Sequence, residues 1–308
     1  MLRFVLIRLL RAFVTIMAVM TFAFVVLRLS GDPAEVLMGP DVPQNVIDAF
    51  REAWGLDKPL WQQYASYIGA IFSGDFGISM RDRSPALELV LERVPATLQL
   101  TIPALILQLS IGIPAGIYAA LHRGGALDRG VILLAVMGFT IPSFVMGLVL
   151  VLVFAVTLGW LPSGGDATLA HAILPAATMS IGGIGILARF SRSAMIEVLG
   201  QPYIRTASAK GVRWGNVVRE HALPNAAVPI VTIIGFMVGS LFAGSVVVET
   251  IFSWPGIGRL LIVSVSNRDL AVVQCILLLI AAVMVVSNLT VDLLYGWLDP
   301  RLRGQPAH

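Results

Sequence analysis

Charge is scarce in this chain. Only 13% of its 308 residues are Asp, Glu, Lys or Arg, about half the roughly 25% usual in soluble domains. There are two lysines, Lys58 and Lys210, and neither closes a glycine-rich loop, so no GxxxxGK[ST] phosphate cradle exists. The four histidines, His122, His171, His221 and His308, are too dispersed for an HExxH pair or a His/carboxylate ligand set. No GxSxG nucleophile elbow occurs. Cys275 is the single cysteine, which excludes an internal disulfide and any CxxC metal or redox site; within its apolar run it reads as a small hydrophobe. Together these shortages exclude a disordered chain, a nucleic-acid binder and an ordinary cytosolic enzyme.

What is abundant is apolar length: 57% of the residues are hydrophobic and the mean hydropathy is +0.87. Five runs lack Asp, Glu, Lys and Arg, at 94–122, 130–165, 167–188, 221–248 and 270–291. Each suffices to cross about 30 Å of hydrocarbon, which takes roughly 20 helical residues. A shorter sixth run lies between Arg11 and Arg28, arginines that can snorkel to an interface. Leu27-Arg28-Leu29-Ser30-Gly31 offers no small-x-small cleavage site, so this run reads as an uncleaved first helix. The expectation is an all-α membrane protein with six transmembrane helices near 9–29, 97–121, 131–158, 172–190, 226–249 and 270–296.

Basic residues orient the helices. With the N-terminus inside, the inner segments hold Arg3, Arg8, Arg11, Arg123, Arg129, Arg189, Arg192, Arg205, Lys210, Arg213, Arg219, Arg301 and Arg303. The short outer loops hold only Arg259 and Arg268. Both termini are therefore expected in the cytoplasm of a multi-pass cell-membrane protein. The expected division is an N-terminus and first helix over 1–30, an external segment over 31–94, a five-helix core over 95–296 and a cytoplasmic tail over 297–308. The segment between the first two helices carries ten of the eighteen acidic residues. Asp32-Pro33 and Ser84-Pro85 place a capping residue before a proline at the first helical position. Ile47, Phe50 and Trp54 repeat at helical spacing, as do Leu60, Tyr64, Tyr67 and Ile71. Trp54, Trp61, Tyr64 and Tyr67 suit a membrane-interface belt. The reading is a small helical external subdomain; the alternative is a mere spacer.

Within the spans, Pro103, Pro114, Pro142 and Pro175 interrupt helices, and Gly112-x-x-x-Gly116 and Gly235-x-x-x-Gly239 offer small faces for close helix approach. These features suit packing and kinking, or a path that must rearrange. Gly183-Ile184-Gly185-Ile186-Leu187-Ala188 fits the GxGxxG/A dinucleotide pattern, but no strand precedes it, so it reads as chance. Glu249 and Asp292 fall near opposite helix ends. Carriers driven by protons or sodium place ionisable groups at mid-depth, and their absence counts against a secondary carrier or channel.

The inner loop 189–225 is far too long for a turn. Arg205 to Lys210 has a short helical pattern with small residues in its middle; Lys210 complements the helix dipole and Gly211 suits a left-handed residue that ends the helix. Trp214, Val217, Val218 and His221 then form a second amphipathic turn before Pro224. Small side chains on such a helix allow another protein's cleft to close around it.

Segment 203–224 resembles the EAA loop of binding-protein-dependent ABC importer permeases, patterned E-A-A-x3-G-x9-I-x-L-P. Arg205, Thr206 and Ala207 fall on E-A-A, Gly211 on the glycine, His221 on the isoleucine, and Leu223-Pro224 on L-P. Arg205, Thr206 and His221 depart from the general pattern, and the Arg-Thr-Ala-x-x-Lys-Gly form is similar to the peptide/nickel branch. Trp54-Gly55-Leu56-Asp57-Lys58-Pro59-Leu60, Gly74-Asp75-Phe76-Gly77, Arg93-Val94-Pro95-Ala96-Thr97-Leu98, Thr140-Ile141-Pro142-Ser143-Phe144 and Glu249 to Gly258 look like further signatures of that branch. The resemblance implies a type I ABC importer permease subunit for di- or oligopeptides, or in the same architecture for glutathione or nickel chelates. It implies a second homologous permease, two cytosolic ATPases that use ATP and Mg, an external solute-binding protein, and no catalytic, cofactor or metal site of this chain's own. It places an ATPase-coupling site at Arg205, Thr206, Ala207, Lys210, Gly211, His221, Leu223 and Pro224, and an outer gate at Glu249, Pro255, Gly256 and Gly258.

Overall fold

The computed structural model describes residues 2–29, 31–38 and 42–298. Asp41, His308, Arg301 and Arg303 lie outside the described residues. Among the described residues the chain is helical, with one isolated antiparallel bridge between Ile78 and Pro85. Helix α1 is Leu2–Leu29, followed by α2 (Pro33–Met38), α3 (Gln44–Ala53) and α4 (Leu60–Phe72). Then come α5 (Ala86–Leu121), α6 (Ala126–Thr140), α7 (Ser143–Thr157) and α8 (Ala170–Leu199). The last four are α9 (Pro202–Ala209), α10 (Trp214–Ile251), α11 (Ile257–Ser266) and α12 (Leu270–Leu298).

Four of these, α5, α8, α10 and α12, are long and apolar enough to cross a membrane; α6 and α7 are apolar enough only as a pair, bent by 103°, in the manner of a broken span or a re-entrant loop. Helix α1 has a shorter apolar stretch, Leu10–Val26. The third helix expected over 131–158, with an interruption at Pro142, is broken at that proline. Pro142 disfavours helical backbone in the residue before it, and Ile141 is extended at φ −73°, ψ 121°. Other helices outrun their expected bounds: α5 starts at Ala86 rather than 97, and α8 continues to Leu199 rather than 190. A charge-free run measures apolar depth, whereas helical hydrogen bonding continues into the charged residues beyond it.

The chain divides into two compact units. In the first, residues 98–254 and 284 onward, α8 is central and touches α5, α6, α7 and α10. Glycine makes this possible. A Cβ on Gly116 would lie 2.3 Å from the Ala188 carbonyl oxygen, and one on Gly185 would lie 2.4 Å from that of Ala135. The dinucleotide-like glycines thus sit mid-helix at contacts between helices. On α10, the Ser287 hydroxyl donates to the Gly235 carbonyl oxygen at 3.0 Å, and a Cβ on Gly239 would meet Met284 Cγ at 3.2 Å.

The second unit comprises residues 2–97 and 255–283. Here α4 packs on α1: the Thr21 and Tyr64 hydroxyls are 2.7 Å apart, and Phe24 meets the rings of Tyr64 and Tyr67 at 5.2 and 6.0 Å. Two of the four aromatics expected in an interface belt are thus packing residues, while Trp61 stays exposed. The expected cap at Asp32 forms, its Oδ1 accepting from Ala34 N–H at 2.9 Å, and Arg51 ties α3 to the same carboxylate. The cap expected at Ser84 does not form. Its hydroxyl turns back to the Asp82 carbonyl oxygen, and Ala86 N–H donates to Gly77 O at 2.9 Å across the Ile78–Pro85 bridge. Asp269 accepts from the Ser79 hydroxyl and Met80 N–H; burial nevertheless raises its carboxyl above the ordinary range. Cys275 is buried among Val90, Val272 and Ile276, as a small hydrophobe.

Candidate functional site

The long inner loop folds into α9 and the first turns of α10. Gln201 is extended, Pro202 occupies the first helical turn where its missing N–H costs nothing, and the helix runs for eight residues. Lys210 N–H bonds the Thr206 carbonyl oxygen at 3.0 Å and closes the helix. Gly211 follows at φ +81°, the left-handed conformation expected of it, and a Cβ there would meet nothing within 4 Å. The loop is therefore sharply turned at Gly211, with open space in front of the turn.

One residue fastens α9 to the bundle. Ile204 is 2% exposed and joins Met195 of α8 with Val217, Ala222 and Ala226 of α10 in a single apolar cluster. Ala207 is partly buried against that cluster, so it supports the docking of α9 instead of sharing its open face. Arg205, Thr206, Ala209, Lys210 and Gly211 are exposed, and so are the rings of Tyr203 and Trp214. Arg205 forms no salt bridge with other described residues of the chain. The expected amphipathic turn differs in one respect: Val217 is buried, but Trp214 points outward. The backbone over Val217–Ala222 is a π-helical turn, which shifts the side-chain register away from the 3.6-residue spacing assumed for it. His221 and Leu223 are half-buried at the root of α10, and Pro224 is exposed.

A charged contact in the same unit is not among the residues expected to carry function. Arg192 of α8 donates to Asp128 of α6 twice, Nε to Oδ1 at 2.5 Å and an Nη to Oδ2 at 2.8 Å, and Gly124 N–H adds a third bond at 2.9 Å. The Asp128 side chain is 3% exposed and that of Arg192 21%. A sequence signal existed, since Asp128 is the only acidic residue between Glu92 and Asp166.

The residues expected at the outer gate fall in both units. Glu249 is buried near the end of α10, where its carbonyl oxygen accepts from Trp254 N–H at 2.8 Å. Ser253 adopts φ +51°, and the Phe252 carbonyl oxygen accepts from Gly165 N–H at 2.8 Å. Pro255, Gly256 and Gly258 belong to the other unit, where Ile257 N–H donates to the buried Thr97 hydroxyl at 2.8 Å. Gly256 is extended, at φ −94° and ψ −172°, a conformation open to any residue.

The chain is similar to glutathione transport system permease protein GsiC of Escherichia coli K12, 42% identical over 288 residues, 94% of each chain. It is 44% identical to GsiC of Salmonella choleraesuis over 305 residues, covering 98% of this chain and 99% of that one. Among solved structures it shares the fold of a chain of the MetNI methionine ABC transporter in an inward-facing conformation. The TM-score is 0.58 at 20% identity, over 68% of this chain and 96% of that one. Residues 1–101 match the family model for the N-terminal part of binding-protein-dependent transport system membrane components. Residues 112–304 match the one for binding-protein-dependent transport system inner membrane components. The chain belongs to that family, as the permease subunit of an ABC importer.

Proposed function

We propose that this permease forms half of a transmembrane pathway for ATP-driven uptake of a small peptide, and that the peptide is glutathione. The glutathione systems of its relatives support that choice over nickel chelates. A second, related permease completes the pathway, two cytosolic ATPases bind and hydrolyse ATP with Mg, and an external binding protein delivers the solute. The N- and C-termini and α9 lie on the cytoplasmic side.

The observation that carries this reading is the construction of α9. Its inner face is locked through Ile204 to two long helices, while its outer face presents small or exposed side chains and an open left-handed turn. An ATPase surface seated on Arg205, Thr206, Lys210 and Gly211 would pull α8 and α10 together as it closes, shifting the permease between inward and outward access. ATP biases that equilibrium only through contacts that differ between the two states.

Co-purification with the ATPases and ATP-dependent glutathione uptake in proteoliposomes test the reading. Gly211→Asp forces an L-residue into the left-handed region, at about 1 kcal/mol or more, and places charge at the turn. Ala209→Asp adds charge on the exposed face without the strain. Ala207→Asp also disturbs the buried side of α9 and so serves less well. Both chosen variants should insert normally yet lose docking or uptake, whereas exposed Asp57→Asn should be silent. Normal docking and uptake in both would remove α9 as the power input.

A further inference from the structure

The first unit holds a cavity of about 260 Å³ between α5, α6, α7, α8 and α10, and none of the residues lining it is charged. Gln108 lines it, at the centre of the charge-free run 94–122 and at the start of a π-helical turn, a feature frequent at functional sites. The Gln108 side chain is buried. Its Nε2 donates to the Met179 carbonyl oxygen at 2.9 Å, a partner that only the amide nitrogen can face. Its Oε1 has no hydrogen-bond partner among the described residues and is itself buried, so a solute N–H reaches it only when the packing around the amide opens. Gly183 makes room for this amide, since a Cβ there would lie 2.3 Å from Gln108 Cδ. A buried amide carbonyl without a partner is costly in a folded protein, and it is tolerated where a ligand or water supplies the donor.

Two neighbouring hydroxyls share this bias. Thr178 Oγ1 donates to Leu174 O at 2.8 Å and Ser240 Oγ to Met237 O at 2.9 Å. Both also line the cavity, and with their hydrogens committed to their own helices they retain only acceptor lone pairs. Ser143 is the remaining hydroxyl in the lining. Uncharged acceptors suit a solute rich in N–H groups, and the lining holds no cation to pair with a carboxylate.

We propose that the Gln108 Oε1 is a solute-binding acceptor in the pathway, taking a hydrogen bond from a peptide N–H while Thr178 and Ser240 offer further acceptors beside it. The inference rests on the peptide-importer reading above and adds the group that reads the amide. Selection on terminal charge is then left to other parts of the transport system.

The test is a cycle of uptake ratios in proteoliposomes containing the whole transporter and its binding protein. The solutes are glutathione and two analogues, each with one amide N–H replaced by an ester oxygen. Discrimination by the binding protein is common to all permease variants and cancels between them. For at least one analogue, the glutathione-to-analogue ratio should be roughly fivefold or more higher in the native permease than in Gln108→Met, as expected for a single lost hydrogen bond. Gln108→Glu keeps an acceptor oxygen and, when neutral, a donor for Met179 O; it should keep the native ratios. If Gln108→Met slows all three solutes equally, the residue only braces α5 against α8 and the proposal is overturned. Should Gln108→Met fail to assemble, Gln108→Glu decides alone, and loss of discrimination there overturns the proposal. A native transporter that takes up neither glutathione nor its analogues would overturn the glutathione reading and this inference with it.

Discussion

Removing Arg192 should loosen the 122–128 turn by a calculable amount. Arg192→Met deletes two of the three donors that hold the Asp128 carboxylate and leaves Gly124 N–H alone. Breaking a fully buried pair costs about 3–5 kcal/mol because the surviving charge is uncompensated. Asp128 meets that description at 3% exposure, but Arg192, at 21%, is within reach of water and of screening ions. That access to water lowers the figure below the buried-pair range, to about 2–3 kcal/mol, or roughly 30- to 150-fold in a local opening equilibrium. Asp128→Leu strands a cation that can turn toward solvent, and should cost less. The double variant, with neither charge, should recover most of the loss. The measurement is amide hydrogen exchange over residues 122–130 of the transporter in nanodiscs, at neutral pH. If the two single effects simply add in the double variant, within about 0.5 kcal/mol, the pair is not coupled and the ion-pair argument fails.

Three further outcomes can be checked. Cysteines introduced at Arg81 and Ala167 should react with an impermeant thiol reagent applied outside intact cells, and one at Ser208 should not; labelling of Ser208 would reverse the proposed orientation. Gly256→Val should reduce glutathione uptake severalfold while ATPases stay bound; wild-type uptake would make the segment a simple connector. Asp269 binds its proton more tightly folded than unfolded, so its contribution favours the folded state at low pH and declines as pH rises from the ordinary carboxylate range through the raised value. Asp269→Asn should flatten that part of the pH–stability curve measured in detergent, and an unchanged slope would show that the carboxyl is not the titrating group.

The spans were legible because an apolar run free of charge has few soluble explanations, and the family could be read from motifs spread along nearly the whole chain. Local geometry was less so. A 3.6-residue template cannot register the π-helical turn at Val217–Ala222, which begins at a buried Val217 just after an exposed Trp214. Ser84 carried a cap signature as strong as that of Asp32, but the bridge from Ile78 to Pro85 gave the helix-start amide another acceptor. Arg192 was weighed only as one of many basic residues that set orientation, and Gln108 lay unnoticed within an apolar run. In both cases the information resides in a partner on another helix, 64 residues away for one and 71 for the other. Periodicity within a single segment holds no trace of such a pairing.

Helix α10 runs unbroken for 38 residues, about 57 Å, and α8 for 30, about 45 Å. Rods of that length with Ile204 wedged at their shared end have little slack between them. If α9 is the docking element proposed above, its displacement would become tilt of two levers, and the far ends would move farther than the near ones. The tether between α9 and the longer rod, Lys210 to Arg213, is four residues long, so under that reading its length would limit how far α9 can move before α10 follows.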